Sequence, residues 1–413
     1  MTQKEALQVL KTGRNVFLTG EPGAGKTYTI NLFTDWLKEN YTPYAITAST
    51  GIAATHIGGS TIHAWSGIGI KRKITESIIE SMQFNHFLVA RLAEPQVLII
   101  DEVSMLDSVM IDNVDYVLRC IRGSDTPFGG MQVVFVGDFF QLPPVSREED
   151  VKFAFESSSW QEANLTVCYL TEQHRQSDHI FLSILSAMRN GEVTEDHKKV
   201  LGACQLKEKP ATQLYTHNVD VDRVNTVELM KLPGQVRTFT GSSGGVPFMV
   251  EQLKKDCLSP EVLNLKEGAI VMFTTNDFEV GYVNGTIGKV IGFTEMSGAP
   301  IIEVGDGEIV PPRVEWVREE KGEKKAWFKQ YPLRLAWAIT VHKSQGMSLD
   351  SASMDLSRTF EYGQGYVAIS RVRSLAGLHL QGINSKAFEM HPKVVEQDKI
   401  FRSNNNDDNA KSI

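Results

Sequence analysis

The 413-residue chain has little of what would place it outside a reducing, aqueous compartment. Its four cysteines, Cys120, Cys168, Cys204 and Cys257, lie far apart and form no C-x-x-C pair. That spacing argues against a disulfide framework and a zinc site, and fits a reducing cytoplasm or nucleus. No apolar run approaches the length of a membrane span, so no membrane partner is expected. The first residues, Met1-Thr2-Gln3-Lys4-Glu5, contain no apolar signal core, and a secreted protein is not expected. Excess positive charge is also missing: 42 Lys+Arg against 50 Asp+Glu leave a net charge of −8. This disfavours a broad basic surface but leaves open a narrow basic groove, because the cations can be placed unevenly. No repeat recurs at solenoid periods. The one low-complexity stretch is the tail, 401–413, which carries Asn404-Asn405-Asn406-Asp407-Asp408-Asn409 and is expected to be disordered.

What is present is ordinary globular material, 42% hydrophobic and 22% charged, in a length that suggests two or three domains. Short apolar runs at 16–19, 44–48, 97–100, 133–136 and 168–170 alternate with helix-like segments. Such alternation predicts an α/β fold with a doubly wound parallel sheet. The pattern turns irregular and polar over 68–87, which reads as a small hairpin or loop insertion. Between 265 and 335 the pattern becomes alternating runs punctuated by Gly and Pro, which fits a small antiparallel barrel.

The sharpest motif is Gly20-Glu21-Pro22-Gly23-Ala24-Gly25-Lys26-Thr27, set between a strand-like run and a helix-like one. That context is what a phosphate-binding loop requires. The backbone N–H groups of Gly20, Gly23 and Gly25 can turn toward a phosphate at the positive end of the following helix. Lys26 supplies charge to the β- and γ-oxygens, and the Thr27 hydroxyl can reach Mg²⁺. The apolar run ending in Asp101-Glu102 offers one acid for the metal and one to polarise a water. A third buried run ends in Gly137-Asp138-Phe139-Phe140-Gln141, which puts Gln141 where a γ-phosphate can be sensed. Phe139 and Phe140 read as core. Two arginines, Arg175 in Thr171-Glu172-Gln173-His174-Arg175-Gln176 and Arg371 in Ala368-Ile369-Ser370-Arg371-Val372-Arg373, are candidates for transition-state charge.

Hydroxyl- and His-rich segments recur near strand ends. They are Ser49-Thr50-Gly51, Ser60-Thr61-Ile62-His63-Ala64-Trp65, Thr216-His217-Asn218 and Thr340-Val341-His342-Lys343-Ser344-Gln345-Gly346. Each alone can be a capped helix start. Together they read as a phosphate-lined track for nucleic acid. His63 and Trp65 could instead offer a stacking face, and a buried Trp65 serves as well.

These segments, with VGDFFQLPPV at 136–145 and GYVAISRVRS at 365–374, occur in helicase motif order. They resemble the Pif-type branch of superfamily 1 helicases, close to the RecD-like proteins. The resemblance implies two RecA-like P-loop NTPase domains, with an SH3-like β-barrel insertion in the second. The expected boundaries are 1–165 for the first domain, 166–285 with 335–400 for the second, 286–334 for the barrel and 401–413 for the tail. It implies ATP and Mg²⁺ as cofactors, with Gln3 selecting adenine, Lys26, Thr27 and Asp101 on phosphate and metal, and Glu102 as base. Gln141, Arg175 and Arg371 would meet the γ-phosphate, and Gln345 and Gly346 would close on the nucleotide. Thr50, Gly51, Thr61, His63, His217, Asn218, Thr340, His342 and Lys343 would line the DNA track.

The implied activity is ATP-driven 5′→3′ movement on single-stranded DNA by a monomer. It would unwind duplex or structured DNA such as G-quadruplexes and junctions, in repair, recombination or telomere maintenance. The 68–87 insertion is the candidate strand separator. Three rivals use the same residues: an ATP-dependent clamp that does not unwind, an RNA helicase and a metabolic P-loop kinase. The kinase reading leaves the second α/β half without a purpose, and no residue reads as a 2′-hydroxyl contact.

Overall fold

Apolar runs too short for a stable helix form the strands β1 (Val16–Gly20), β2 (Tyr44–Ala48), β4 (Val97–Asp101), β5 (Gln132–Val136) and β6 (Thr166–Leu170) of the computed structural model, and the polar pair Ser60–Thr61 adds the short edge strand β3. They pair in parallel in the order β3-β2-β4-β5-β1-β6. The structure describes every residue except 70, 145–151, 173–177, 205–212, 258, 276, 278, 283–284, 321–322, 342–343, 346–348, 350 and 411–413. The described chain divides into two units. The first is Met1–His197 with Phe360–Ser370 and Ser385–Ile413, and the second is Lys198–Thr359 with Arg371–Asn384.

A parallel sheet needs cover on both faces. On one face of β1, Val16 and Leu18 pack with Leu10 of α1 (Gln3–Leu10) and with Ile30 and Phe33 of α2 (Lys26–Glu39). On the other, Phe17 sits 5.4, 5.1 and 4.9 Å from the rings of Phe139, Trp160 and Phe401. Phe139 is thus core, as expected. The first unit continues with α3 (Gly51–His56), α4 (Ile62–Trp65), α5 (Glu76–Gln83), α6 (His86–Ala93), α7 (Ser108–Arg122), α8 (Ser158–Glu162) and α9 (His179–Asn190).

The 68–87 stretch, expected as a hairpin or loop, instead holds α5 and the start of α6. Asn85 caps α6 by accepting the Leu88 N–H at 3.3 Å, and Ile79, Met82, Leu88 and Leu92 are buried in the packing of both helices against α7. The helical period there is only two turns long in each helix, too short to stand out in the sequence.

The helix α10 (Glu195–Ala203) leads into the second unit. There β7 (Gln213–Tyr215) precedes α11 (Asn218–Lys231), and then β8 (Arg237–Thr240) and β9 (Ser242–Gly245) precede α12 (Pro247–Asp256). An antiparallel series follows: β10 (Val262–Leu265), β11 (Ile270–Phe273), β12 (Ile287–Phe293), β13 (Pro300–Val304), β14 (Gly307–Ile309), β15 (Val314–Glu320), β16 (Glu323–Gln330) and β17 (Leu333–Leu335). The parallel sheet β18-β7-β19-β20 is completed by β18 (Ala338–Thr340), β19 (Ala352–Leu356) and β20 (Leu378–Ile383).

Antiparallel pairing starts at β8 rather than at 286, because β8 pairs with β10 and β9 with β16. The centre of this part is the sheet β14-β13-β12-β11-β17, which buries Val271, Phe273, Val290, Ile302 and Leu333.

The chain finishes back in the first unit with α13 (Gln364–Ile369) and α14 (Pro392–Ala410). This corrects the expectation of a disordered tail from 401: helix α14 continues to Ala410, and Phe401 is only 6% exposed inside the aromatic cluster. The single aromatic anchor outweighs the polar composition that follows it. Residues 411–413 lie outside the described residues. No described helix is long and apolar enough to cross a membrane. Phe401→Ala should lower the unfolding free energy by about 3–5 kcal/mol in urea titration, as for a large aromatic removed from a core; an unstructured tail would leave it unchanged.

Candidate active site

Three adjacent strands of the first sheet, β4, β5 and β1, bring their C-terminal ends to one edge. At each end the backbone leaves the sheet through a conformation that the local residues permit. After β1, Gly20, Gly23 and Gly25 take φ of 149°, 89° and 85°. A Cβ on Gly20 would stand 2.7 Å from the Leu170 carbonyl oxygen, and one on Gly25 would collide with Gln3 Nε2. Gly25 caps α2 in the left-handed region with no side-chain bond, so the first N–H groups of the helix face the loop. Lys26 Nζ folds over this loop and donates to the carbonyls of Gly20 at 2.7 Å and Glu21 at 3.3 Å.

Gln3 stands at the start of α1 and is tied down twice. Its N–H donates to Glu172 Oε2 at 2.7 Å and its Nε2 to the Ala24 carbonyl at 3.2 Å. A capping box between Thr2 and Glu5 starts that helix.

After β4, Glu102 adopts a left-handed conformation (φ 52°) and its N–H donates to Asp101 Oδ1 at 2.8 Å. Burial, with the Glu102 charge beside it, pushes the Asp101 carboxyl up to about 7, against the pull of the Glu102 N–H and Lys26. Desolvation draws the Lys26 ammonium below its ordinary value, while Asp138, Glu102 and Asp101 oppose it. After β5, Asp138 is fully buried and the Gln141 N–H closes a turn on the Asp138 carbonyl at 3.0 Å. Gln141 is 6% exposed, and among the described residues its Oε1, like Asp138 Oδ2, is buried without a hydrogen-bond partner.

The raised Asp101 carboxyl and the open Asp138 Oδ2 are oxygen acceptors of the kind that suits a hard cation shared with phosphate oxygens. Among the described residues no group of three or more His, Cys, Asp or Glu could hold a metal ion by itself. A site with one carboxylate, the Thr27 hydroxyl and substrate phosphates needs no such group.

The residues expected to line a DNA track in the first unit lie at or beyond strand ends. Thr50 accepts the Ala53 N–H at 3.2 Å next to Gly51, and Thr61 accepts the Ala64 N–H at 3.3 Å, so each hydroxyl caps a short helix. His63 is half-buried, which lowers its proton affinity. Trp65 is 6% exposed and belongs to the core rather than to a stacking face.

In the second unit, β18 pairs with β7 so that Thr340 lies opposite Tyr215. Thr340 thereby neighbours Thr216 and His217, whose side chains are joined at 2.8 Å, and Asn218 begins α11. Arg371 is 1% exposed and donates to the Ser344 carbonyl at 3.4 Å, next to the buried Gln345. Arg175, His342, Lys343 and Gly346 lie outside the described residues.

The sequence reading missed Arg189. It is 1% exposed and its Nη1 donates to Asp138 Oδ1 at 2.7 Å. A signal was available: α9 buries Phe181, Ile184, Leu185 and Met188, and Arg189 shares that apolar face. A charge on a buried stripe is rare unless it is paired.

Comparison with known proteins follows the same outline. The family PIF1-like helicase matches residues 2–199, and the DNA helicase Pif1, 2B domain, matches 249–293. ATP-dependent DNA helicase Pif1 of Psychrobacter sp. is 42% identical over 97% of this chain and 71% of that protein. The chain spans a smaller share, 63%, of the Xenopus laevis ATP-dependent DNA helicase PIF1. The crystal structure of Pif1 helicase from Candida albicans superposes with a TM-score of 0.84 at 34% identity, covering 96% of this chain and 98% of that one. Pif1 helicase from Bacteroides in complex with ADP-AlF3 and ssDNA gives a TM-score of 0.70 at 29% identity, covering 98% of both chains.

The raised Asp101 gives a pH prediction. Its folded-state affinity for a proton exceeds the unfolded one, so stability falls as pH rises from about 4 to about 7. Without divalent cations, Asp101→Asn should therefore be more stable than the parent at pH 8, by on the order of 1 kcal/mol or more, and equal to it at pH 4. Urea titrations at the two pH values in the presence of a chelator measure this.

Proposed function

The chain belongs to the PIF1-like helicase family and is an ATP-hydrolysing DNA helicase, and we propose that it tracks 5′→3′ along single-stranded DNA with the motif residues in the roles below. One observation carries the reading: the glycine loop, the acid pair and the Gln141 turn lie at the C-terminal ends of the neighbouring strands β1, β4 and β5.

Gln3, fixed against Ala24, reads the adenine, and the loop Gly20–Lys26 wraps the phosphates. When nucleotide enters, Lys26 exchanges two carbonyl partners for phosphate oxygens, a stronger, charge-assisted pairing. Thr27 and Asp101 would hold Mg²⁺, which supplies charge neutralisation at the β- and γ-oxygens. Glu102 orients the attacking water and accepts its proton. Gln141 can donate from its amide Nε2 to a γ-phosphate oxygen, and its Oε1, open among the described residues, can accept from the attacking water. Arg371 and Arg175 are assigned to the transition-state charge, and Gln345 and Gly346 to nucleotide contact.

Thr50, Gly51, Thr61 and His63 in the first unit grip DNA phosphates. His217, Asn218, Thr340, His342 and Lys343 do so in the second. Such contacts hold a strand without reading its sequence. Alternation of the two grips with nucleotide state moves the strand. Opening a base-pair step requires ~1.4 kcal/mol on average, well within what one ATP supplies. The reading extends to forks, junctions and G-quadruplexes as substrates and to a monomer, since one chain carries both sets of motifs. It places the protein in a cytoplasm or nucleus.

The corner between α5 and α6 is the proposed strand separator, because Phe84 and Phe87 are 83% and 57% exposed there. Aromatic faces stack on bases without sequence preference.

Duplexes with 5′ or 3′ single-stranded tails test the polarity: strand release from the 5′-tailed substrate alone is expected, and release from the 3′-tailed one would reverse the assignment. ATP turnover should rise with single-stranded DNA and not with RNA of equal length. Lys26→Ala should abolish hydrolysis and leave DNA affinity in fluorescence anisotropy within about threefold, since its partners are loop carbonyls. Arg371→Ala should keep nucleotide binding and lose about 10³-fold or more in kcat. Phe84→Ala with Phe87→Ala should slow unwinding by about tenfold, a loss of 1–3 kcal/mol of stacking, while DNA-stimulated hydrolysis is retained.

A further inference from the structure

The first unit contains a buried polar network whose centre, Arg189, has no place among the nucleotide and DNA contacts. Arg189 Nη1 donates to Asp138 Oδ1 at 2.7 Å and to the Tyr366 hydroxyl at 3.3 Å. Nη2 donates to the Tyr169 hydroxyl at 2.7 Å and lies 3.5 Å from Asp398 Oδ1. Tyr169 also accepts from Arg402 Nη2 at 2.7 Å, and Arg402 Nε pairs with Asp398 Oδ2 at 2.7 Å. The two cations and two carboxylates balance. The guanidinium plane stacks on Phe140, 4.1 Å from the ring centroid. Burial holds Tyr169 and Tyr366 well above the usual phenol range, so both remain neutral hydrogen-bonding groups.

All of this converges on one turn. Asp138 and Phe140 flank Phe139, and Gln141 closes the turn through its N–H on the Asp138 carbonyl at 3.0 Å. Asp138 Oδ1 also accepts the Phe140 N–H at 3.2 Å. The far side of the turn is covered by Gly363, where an added Cβ would stand 2.5 Å from the Phe140 carbonyl oxygen and 2.8 Å from that of Gln141. The turn is therefore held from below by Arg189 and from above by the returning C-terminal segment. A buried ion pair is weak evidence for stability, because an apolar replacement of equal volume does as well or better. What an apolar pair would not supply is direction: a bond to Asp138 and a stacked plane against Phe140 fix the orientation of the turn.

We propose that Arg189 is a positioning residue for ATP hydrolysis, which through Asp138 and Phe140 holds the 137–141 turn so that Gln141 meets the γ-phosphate. The proposal rests on the role given to Gln141 above. At 1% exposed, Arg189 offers no surface to a substrate. It acts on the step that distinguishes triphosphate from diphosphate, and leaves adenine and β-phosphate binding to Gln3 and the glycine loop.

The test is steady-state, DNA-stimulated ATP hydrolysis by the full chain. Because a lone buried charge destabilises strongly, the variants are Arg189→Lys, which keeps a cation, and Arg189→Gln combined with Asp138→Asn, which neutralises both partners. Each is assayed where a cooperative thermal melt shows it folded. The expected result is a kcat about tenfold or more below the parent, with KM for ATP and the Kd for ADP within about threefold. Combined with Gln141→Ala, Arg189→Lys should add no further loss, since the two residues act as a unit. Parental kcat in both variants overturns the proposal. So do losses that multiply with that of Gln141→Ala, and losses that disappear once the unfolded fraction is counted. A silent Gln141→Ala removes the sensor role itself and the inference with it. That pattern differs from a damaging Gln141→Ala beside a silent Arg189→Lys, which sinks the inference alone.

Discussion

The parallel ladder β4-β5-β1 is the constraint on which the active site depends. In parallel pairing every strand points the same way, so three chain segments far apart in sequence end at one edge. Asp101 ends β4, Asp138 and Gln141 follow β5, and the glycine loop runs on from the end of β1. The ladder is held by buried side chains on both faces: Val16 and Leu18 on one side, and Phe17 with Phe139, Trp160 and Phe401 on the other. The candidate site sits on polar groups at the edge of an apolar frame, where partial burial lowers the effective dielectric around each charge.

That low dielectric explains the state of the site before nucleotide binds. Asp101 and Glu102 cannot both carry charge comfortably beside each other, and Asp101 gains a proton affinity near neutrality. Lys26 rests on two neutral carbonyls, weak partners for a full charge. Asp138 offers only one oxygen to Arg189.

The motifs were legible because phosphate chemistry demands particular residue types at fixed short spacing. The glycines were readable as backbone requirements, and their positive φ values follow from them. The core strands were readable from composition, and so was Phe139 as core. The helical character of 68–87 was not: α5 and α6 are eight residues each, and their burial is set by α7, which follows later in the chain. The burial of Phe401 was hidden by the Asn- and Asp-rich residues behind it, since its partners Phe17 and Trp160 lie hundreds of residues upstream. The early start of antiparallel pairing at β8 rests on partners in β10 and, for β9, in β16.

The sequence by itself determined the local chemistry: a glycine loop that can cradle phosphate, an acid pair after a buried strand, and hydroxyls that can cap helices or meet phosphates. These depend on neighbours within a few residues, where spacing is information enough. Only the tertiary structure decided which side chains share a dielectric. Arg189, Asp138, Tyr169, Tyr366, Asp398 and Arg402 come from five separate segments and form one network in which two cations meet two carboxylates. A charge on an apolar helix face hints at such a network, but its partner is chosen by packing, because burial makes an unpaired charge too costly to keep.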